Sequence, residues 1–148
     1  MVYVDTSVLV SLFLNEPFSV AAAQWYAREK RELVAASWCI PEFASALGIK
    51  QRTGAIDAPQ AQGAWVRFQR MVAADLRLLP VTPVNFHRAA ELVLDAPSAL
   101  RAGDALHLAC AEAAGAKHMA TLDAVLSRNA QRLKIKPVAL SSTSRKLT

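Results

Sequence analysis

Short apolar segments alternate with helical segments along the whole chain, and this alternation constrains the fold more than any other feature. Apolar runs with strand character occupy residues 1–4, 33–37, 76–81, 118–122 and 135–140. Stretches with helical periodicity separate each run from the next. Strands separated by helices require right-handed crossovers, which place the strands parallel in one sheet and the helices on both of its faces. The sequence therefore predicts an α/β three-layer domain with a mainly parallel central sheet of about five strands.

Proline and glycine locate the ends of several helices. Pro41 belongs to the first turn of a helix that ends at Gly54, which is the usual placement of these two residue types. Thr82 and Pro83 begin a later helix. The apolar residues of that helix are expected to face the core, namely Phe86, Ala89, Ala90 and Val93.

The composition fits one domain. The chain has 148 residues, 53% of them hydrophobic, and we assign residues 1–140 to the domain and residues 141–148 to a polar basic tail. The apolar stretch at residues 8–14 is far shorter than the roughly 20 residues that a membrane span requires. It also lacks the basic segment of a signal peptide. We therefore expect a cytoplasmic protein without a membrane partner.

Cysteine and tryptophan are both expected inside the domain. Cys39 and Cys110 lie far apart in apolar surroundings, with the spacing of neither a disulfide framework nor a metal site. Small buried side chains explain both. Trp25, Trp38 and Trp65 occupy apolar positions, which favours the core over a role in stacking.

Positive charge is concentrated at the C-terminal end. The chain carries 17 basic and 12 acidic residues, a net charge of +5. Residues 124–148 contain no acid and six basic residues, namely Arg128, Arg132, Lys134, Lys136, Arg145 and Lys146. A basic stretch beside an acidic crevice suits a polyanion that is held by its phosphates. For Arg145 and Lys146, a solvated tail is the simpler interpretation.

Four carboxylates occupy corresponding positions along the chain. Asp5 and Asp123 each follow a strand directly, whereas Glu42 and Asp104 lie near the starts of predicted helices. Because strand ends and the helix starts that follow them meet at one edge of a parallel sheet, we expect one acidic pocket. At about 5 Å and an effective dielectric near 20, each pair would repel by roughly 3 kcal/mol. The pocket therefore needs protons or a divalent cation.

A hard cation would divide these acids into two roles. Mg²⁺ prefers carboxylate oxygens, keeps several waters and usually takes one or two protein carboxylates directly. We predict Asp5 and Asp104 as direct ligands, with Glu42 and Asp123 acting through water or a second ion. A bound cation activates a water and stabilises charge on a phosphate, so the predicted reaction is phosphodiester hydrolysis.

Three hydroxyls lie beside the acids in the sequence. Thr6 and Ser7 follow Asp5, and Thr121 stands two residues before Asp123. Each is available to orient a carboxylate or a phosphate, and each equally fits a helix cap or a turn.

Two other polar residues lie close to Asp104. Arg101, three residues earlier, is available to neutralise the acids or to bind a phosphate, and an exposed arginine at a helix start is an equally good interpretation. His107 lies three residues later between leucines, which indicates a hydrogen-bonded, partly buried histidine rather than a metal ligand.

A family resemblance rests on four motifs in this order: VDTSVLVSLFLNE, IPEFASAL, LRAGDALHLACA and ATLDAVLSRNA. Together they resemble the PIN-domain ribonucleases, most closely the VapC toxins of bacterial toxin–antitoxin pairs, over residues 1 to about 140. The resemblance implies a PIN-like fold and an endoribonuclease dependent on Mg²⁺ or Mn²⁺, whose acidic residues match Asp5, Glu42, Asp104 and Asp123. It also implies an RNA substrate, a homodimer, and a cognate antitoxin whose extended segment blocks the acidic groove. Gly103 departs from the family pattern, because a side chain is more usual there and a glycine loosens the helix start that positions Asp104.

Three other classes of protein also place acids at the edge of such a sheet, and the sequence fits one of them. A haloacid-dehalogenase-type phosphatase needs a second acid two residues after Asp5, where this chain has Ser7. A receiver domain needs a lysine after a late strand and paired acids that the sequence lacks. A binding module for RNA or a partner, with an ion-binding acidic pocket and little cleavage activity, fits the same residues and stays the alternative.

Overall fold

Residues 1–140, which the computed structural model describes, form a five-stranded parallel sheet with helices on both faces. In chain order the elements are β1 (Val2–Val4), α1 (Thr6–Phe13), α2 (Ser19–Arg28), β2 (Leu33–Ala36), α3 (Cys39–Arg52), α4 (Ala58–Ala74), β3 (Leu76–Leu79), α5 (Pro83–Leu94), a 3-10 helix (Ala96–Ser98), α6 (Ala102–Ala113), β4 (His118–Ala120), α7 (Ala124–Arg132) and β5 (Lys136–Pro137). The strand order is β3-β2-β1-β4-β5, and every neighbouring pair is parallel. The predicted α/β three-layer fold is confirmed. The predicted tail at 141–148, with Arg145 and Lys146, lies outside the described residues.

The sheet separates two hydrophobic cores. Val2 and Val4 of β1 face a core that α1, α2, α3 and α4 cover. Tyr3 faces the other core, which α5, α6 and α7 cover. All residues of β1 and β2 are buried, because side chains on both faces of a strand lie under helices. This double burial explains why the strands read as continuous apolar runs in the sequence.

The strand order brings the ends of β1 and β4 together. The chain adds β2 and β3 on one side of β1 and then crosses to the other side, where Val4 pairs with Ala120 of β4. The carboxyl ends of β1 and β4 are therefore neighbours at the point where the strand order reverses, which is where open parallel sheets bind ligands. Asp5 and Asp123 follow these two strands.

The last strand is shorter than predicted. The sequence prediction of a strand over residues 135–140 is wrong in length, because β5 comprises only Lys136–Pro137. β5 is an edge strand, and the backbone N–H groups of Lys136 and Val138 bond β4, so Pro137 occupies the position whose missing N–H would face away from the sheet.

Four aromatic or apolar side chains are more exposed than predicted. On α5, Phe86 is 55% exposed, Val93 is 37% exposed and Ala90 is also exposed, whereas Ala89 is buried as predicted. α5 packs against α6 and the 3-10 helix, so only a narrow stripe of α5 is covered. Trp38 is 37% exposed, which makes its assignment to the core wrong, while Trp25 is buried as predicted.

Both cysteines are buried and free, which confirms their interpretation as small core residues. In the described part of the chain, the helices do not reach the length and apolar character that crossing a membrane requires.

Candidate active site

Asp5 is a buried carboxylate at the junction of β1 and β4. Its backbone N–H donates to the carbonyl of Ala120 at 2.9 Å, which fixes its position at the end of the paired strands. Although Asp5 is the N-cap residue of α1, its side chain does not cap the helix backbone. Oδ2 instead accepts hydrogen bonds from Ser7 Oγ at 2.7 Å and from Thr121 Oγ1 at 2.9 Å. With only 4% of its surface exposed, the carboxylate is held rigidly by these two hydroxyls.

The same two hydroxyls connect Asp5 to the start of α7. Ser7 Oγ accepts from the backbone N–H of Leu122 at 3.0 Å, and Thr121 Oγ1 accepts from the backbone N–H of Asp123 at 3.1 Å. Each hydroxyl therefore accepts from the β4–α7 connection and donates to Asp5. Asp123 itself caps α7, because its Oδ1 accepts from the backbone N–H of Leu126 at 2.9 Å.

Glu42 lies in the first turn of α3 and is partly buried. Its Oε1 accepts from Thr6 Oγ1 at 2.7 Å and contacts Nε2 of His107. Burial by itself raises the pKa of Glu42, but hydrogen bonds from His107, Thr6 and Trp38, together with the charge of His107, outweigh burial and lower the pKa below its ordinary value. Glu42 is therefore held as a carboxylate.

Gly103 lies directly beside Glu42. A methyl group at this position would lie 3.5 Å from Oε2 of Glu42 and 3.5 Å from Nε1 of Trp38, both ordinary contacts. Gly103 is the second residue of α6, and the helix includes it, so the glycine does not displace the start of the helix that carries Asp104.

Asp104, in the first turn of α6, carries the clearest electrostatic signature of the pocket. Partial burial raises its pKa, and the negative charges of Asp5 and Asp123 raise it further, to about 6. Glu42 contributes in the same direction, and His107 opposes it. The pKa of Asp104 therefore responds first to burial and then to the charges of the other three predicted acids.

His107 occupies the centre of this group and is fully buried. Besides contacting Glu42, its Nε2 lies 3.7 Å from Oδ1 of Asp5. Its Nδ1 lies 2.7 Å from the hydroxyl of Tyr3. Burial lowers the pKa of His107, but the hydrogen bond to Glu42 and the charge of Asp5 outweigh this and raise it above the ordinary value. The prediction of a hydrogen-bonded histidine is confirmed, while the prediction that it is only partly buried is wrong.

Tyr3 is the residue that sequence reasoning missed. Its hydroxyl accepts from the backbone N–H of Ala36 at 3.0 Å and contacts His107. The available signal was a lone tyrosine in an otherwise aliphatic strand, which needs a buried partner for its hydroxyl.

Exposed basic residues lie on the elements that carry the acids. Arg101 precedes α6, is exposed and makes no side-chain cap to the helix. Arg128 and Arg132 are exposed on α7, which Asp123 begins. Their exposure makes these side chains accessible to a phosphate backbone.

The donor set fits a hard divalent cation chemically. Within residues 1–140, no three or more His, Cys, Asp or Glu side chains converge in an arrangement that could hold a metal ion. Asp5, Glu42 and Asp123 each direct an oxygen to a neighbouring hydrogen-bond donor. Burial raises the pKa of Asp104, and the negative charges of Asp5 and Asp123 raise it further. Carboxylate oxygens with uncompensated charge are what Mg²⁺ and Mn²⁺ bind.

Comparisons with solved structures show the fold. VapC20 from Mycobacterium tuberculosis, described as a sarcin–ricin loop cleaving toxin, is 15% identical, with a TM-score of 0.72 over 87% of this chain and 95% of that chain. FitAcB from Neisseria gonorrhoeae is 14% identical, with a TM-score of 0.72 over 95% of this chain and 98% of that chain. VapBC2 from Rickettsia felis, bound to a promoter DNA fragment, is 13% identical, with a TM-score of 0.62 over 93% of this chain and 98% of that chain. A comparison with curated proteins found no significant match.

The family model of the PIN domain matches residues 2–131. This span contains Asp5, Glu42, Asp104 and Asp123, and it ends before the predicted domain boundary at residue 140, which stays a prediction. PIN domains are nucleases and generally use divalent metal ions. Because the family model covers residues 2–131, most of the sequence, this chain belongs to the PIN-domain family.

Proposed function

We propose that this protein is a divalent-metal-dependent endoribonuclease that hydrolyses RNA phosphodiester bonds and acts as the toxin of a toxin–antitoxin pair. The observation that supports the proposal is the setting of Asp104, whose pKa burial and then the nearby charges of Asp5, Asp123 and Glu42 raise to about 6. A pocket of this kind in a PIN domain favours a bound cation. Protons and cations compete for the same carboxylate oxygens, so a site that holds a proton more tightly also attracts a cation.

Each acid has a distinct role in this proposal. Asp5 and Asp104 would hold Mg²⁺ or Mn²⁺ directly, and Glu42 and Asp123 would act through coordinated water or a second ion. When bound, the ion supplies an activated water and stabilises charge on the phosphate. Ser7 and Thr121 keep Asp5 oriented through their hydrogen bonds to Oδ2.

Positive side chains outside the pocket would bind the substrate. Arg101 and Arg128 are exposed near the helix starts that carry Asp104 and Asp123, and they would contact phosphates of the bound substrate. Such contacts offset the repulsion between the acidic pocket and a polyanion.

The partners follow from the resemblance to VapC toxins. VapC20 is described as a sarcin–ricin loop cleaving toxin. We infer an RNA substrate, a cognate antitoxin whose extended segment covers the acidic groove, and a homodimer for the present chain. An RNA- or partner-binding module with an ion-binding acidic pocket and little cleavage activity is the second candidate, because the same acids and exposed basic residues fit it.

Replacing Asp5 with asparagine tests the proposal against this alternative. We expect Asp5→Asn to lose at least about 100-fold in kcat/KM on RNA, comparable to the loss of other single groups that stabilise charge in a transition state. RNA affinity should be kept or improved, because one negative charge is removed from the pocket. A nuclease loses cleavage in this variant, whereas a binding module shows no Asp5-dependent cleavage in the first place.

Asp95→Asn is the matched control, because Asp95 is an exposed aspartate at the end of α5. Cleavage by Asp5→Asn at the rate of Asp95→Asn, in protein purified free of contaminating ribonuclease, would overturn the assignment.

A further inference from the structure

His107 is placed where it can act on the site without touching a substrate. It is fully buried, so no part of the ring contacts solvent or an RNA chain. Both ring nitrogens have polar neighbours, with Tyr3 at Nδ1 and Glu42 at Nε2. Rotating the ring would replace these nitrogens with carbons beside two buried polar groups, so a single orientation is favoured.

The chemistry of Tyr3 fixes the direction of the hydrogen bond to Glu42. The Tyr3 oxygen already accepts the backbone N–H of Ala36 at 3.0 Å, which leaves its own hydrogen available for Nδ1 of His107. A neutral imidazole that accepts at Nδ1 carries its hydrogen on Nε2. A protonated imidazole carries a hydrogen on Nε2 as well. In both states, therefore, Nε2–H is directed at the carboxylate of Glu42.

This chain of contacts ties a flexible side chain to the rigid sheet. Tyr3 belongs to β1 and Ala36 to the end of β2, whereas His107 lies one helical turn after Asp104 on α6. Glu42, on α3, has a long side chain that would otherwise sample several rotamers. With Oε1 held by His107 and Thr6, Oε2 stays on the side of the carboxylate that faces Gly103.

We propose that His107 is a positioning residue for Glu42: its Nε2–H, oriented by Tyr3, holds Oε1 of Glu42 so that the carboxylate keeps one orientation in the nuclease pocket. This inference rests on the proposed nuclease function and adds a role for two residues outside the four acids. Removing a hydrogen bond that orients a ligand of a metal site typically lowers activity by about 10- to 100-fold.

Steady-state kinetics on RNA test the positioning role with graded variants. We expect His107→Leu to lower kcat by about 10- to 100-fold with little change in KM, because substrate contacts are untouched. His107→Gln keeps an N–H donor and should recover much of the loss. Tyr3→Phe should give an intermediate loss, because the ring keeps its packing while Nδ1 loses its partner. Glu112→Gln, an exposed glutamate on α6, is the control with unchanged kinetics.

Nuclear magnetic resonance of histidine-labelled protein gives a readout that is independent of cleavage. We expect the Nε2–H of His107 to exchange slowly with solvent and to resonate far downfield. The more accessible His87 and His118 should give no slowly exchanging ring N–H resonance. Glu42→Gln should move that resonance upfield, because an amide accepts more weakly than a carboxylate. Tyr3→Phe should accelerate its exchange.

The two experiments separate the two proposals. Wild-type kcat in a folded His107→Leu variant would overturn the positioning role, as would a His107 hydrogen on Nδ1 alone or a resonance unaffected by Glu42→Gln. If the wild-type protein shows no Asp5-dependent cleavage, the nuclease proposal fails, and the resonance experiment still decides whether His107 holds Glu42.

Discussion

Replacing Asp104 with asparagine should raise the free energy of unfolding of the metal-free protein at neutral pH and leave it unchanged at about pH 4. Burial and the charges of Asp5 and Asp123 raise the pKa of Asp104 from 3.8 to about 6. The folded state therefore holds the Asp104 proton more tightly than the unfolded state does. Its contribution to stability is fully present below about pH 4 and is lost as the pH rises through about 6. An asparagine has the shape of the protonated acid and no charge to lose.

The size of the effect follows from the shift. A difference of about 2 pKa units corresponds to about 3 kcal/mol if the group is fully shielded from solvent. Asp104 is only half-buried, so solvent screening reduces the expected gain to about 1 to 2 kcal/mol. For a domain of this size, that gain corresponds to about 3 to 6 °C in melting temperature.

Thermal unfolding in buffer with a chelator tests this prediction. We expect the melting temperature of Asp104→Asn to exceed that of the wild type at about pH 7.5 and to match it at about pH 4. Asp95→Asn, which changes an exposed aspartate, should show no such difference at either pH. An increase of the same size at both pH values would refute the reasoning, because it would have to arise from packing instead of charge.

Two further predictions concern the same pocket. Millimolar Mg²⁺ or Mn²⁺ should raise the melting temperature of the wild type, by the equivalent of about 1.4 kcal/mol at ten times the dissociation constant. The shift should be much smaller in Asp104→Asn, and equal shifts in both proteins would argue against Asp104 as a ligand. Thr121→Val removes a hydroxyl that donates to Asp5 and accepts from the N–H of Asp123. We expect it to cost about 1 to 3 kcal/mol in the free energy of unfolding, measured with urea, and an unchanged midpoint would contradict the role of this hydroxyl.

The fold was largely accessible from the sequence because its signals are local. Capping residues such as Thr82 act within one helical turn, and the short apolar runs identify strands that are buried on both faces. The same logic placed Asp5 and Asp123 directly after strands, where a parallel sheet collects its ligands. The family motifs then selected which acids belong together, and the proposed roles of the four remain predictions.

Exposure at the surface of the helices was not accessible in this way. Phe86 and Trp38 have the residue types of a core, yet both are exposed. Periodicity shows that a helix has an apolar side but not how much of that side a neighbouring element covers, because coverage depends on packing between distant segments.

The sequence by itself determined the order of strands and helices along the chain and the burial of β1 and β2, and it predicts which acids form the site. Only the tertiary structure decided that His107 contacts Tyr3 and Glu42, and that Thr121 supports Asp5. These pairs are 104, 65 and 116 residues apart, respectively. The physical reason is that local free energies fix each element separately, whereas the crossover that places β4 beside β1 fixes which side chains meet.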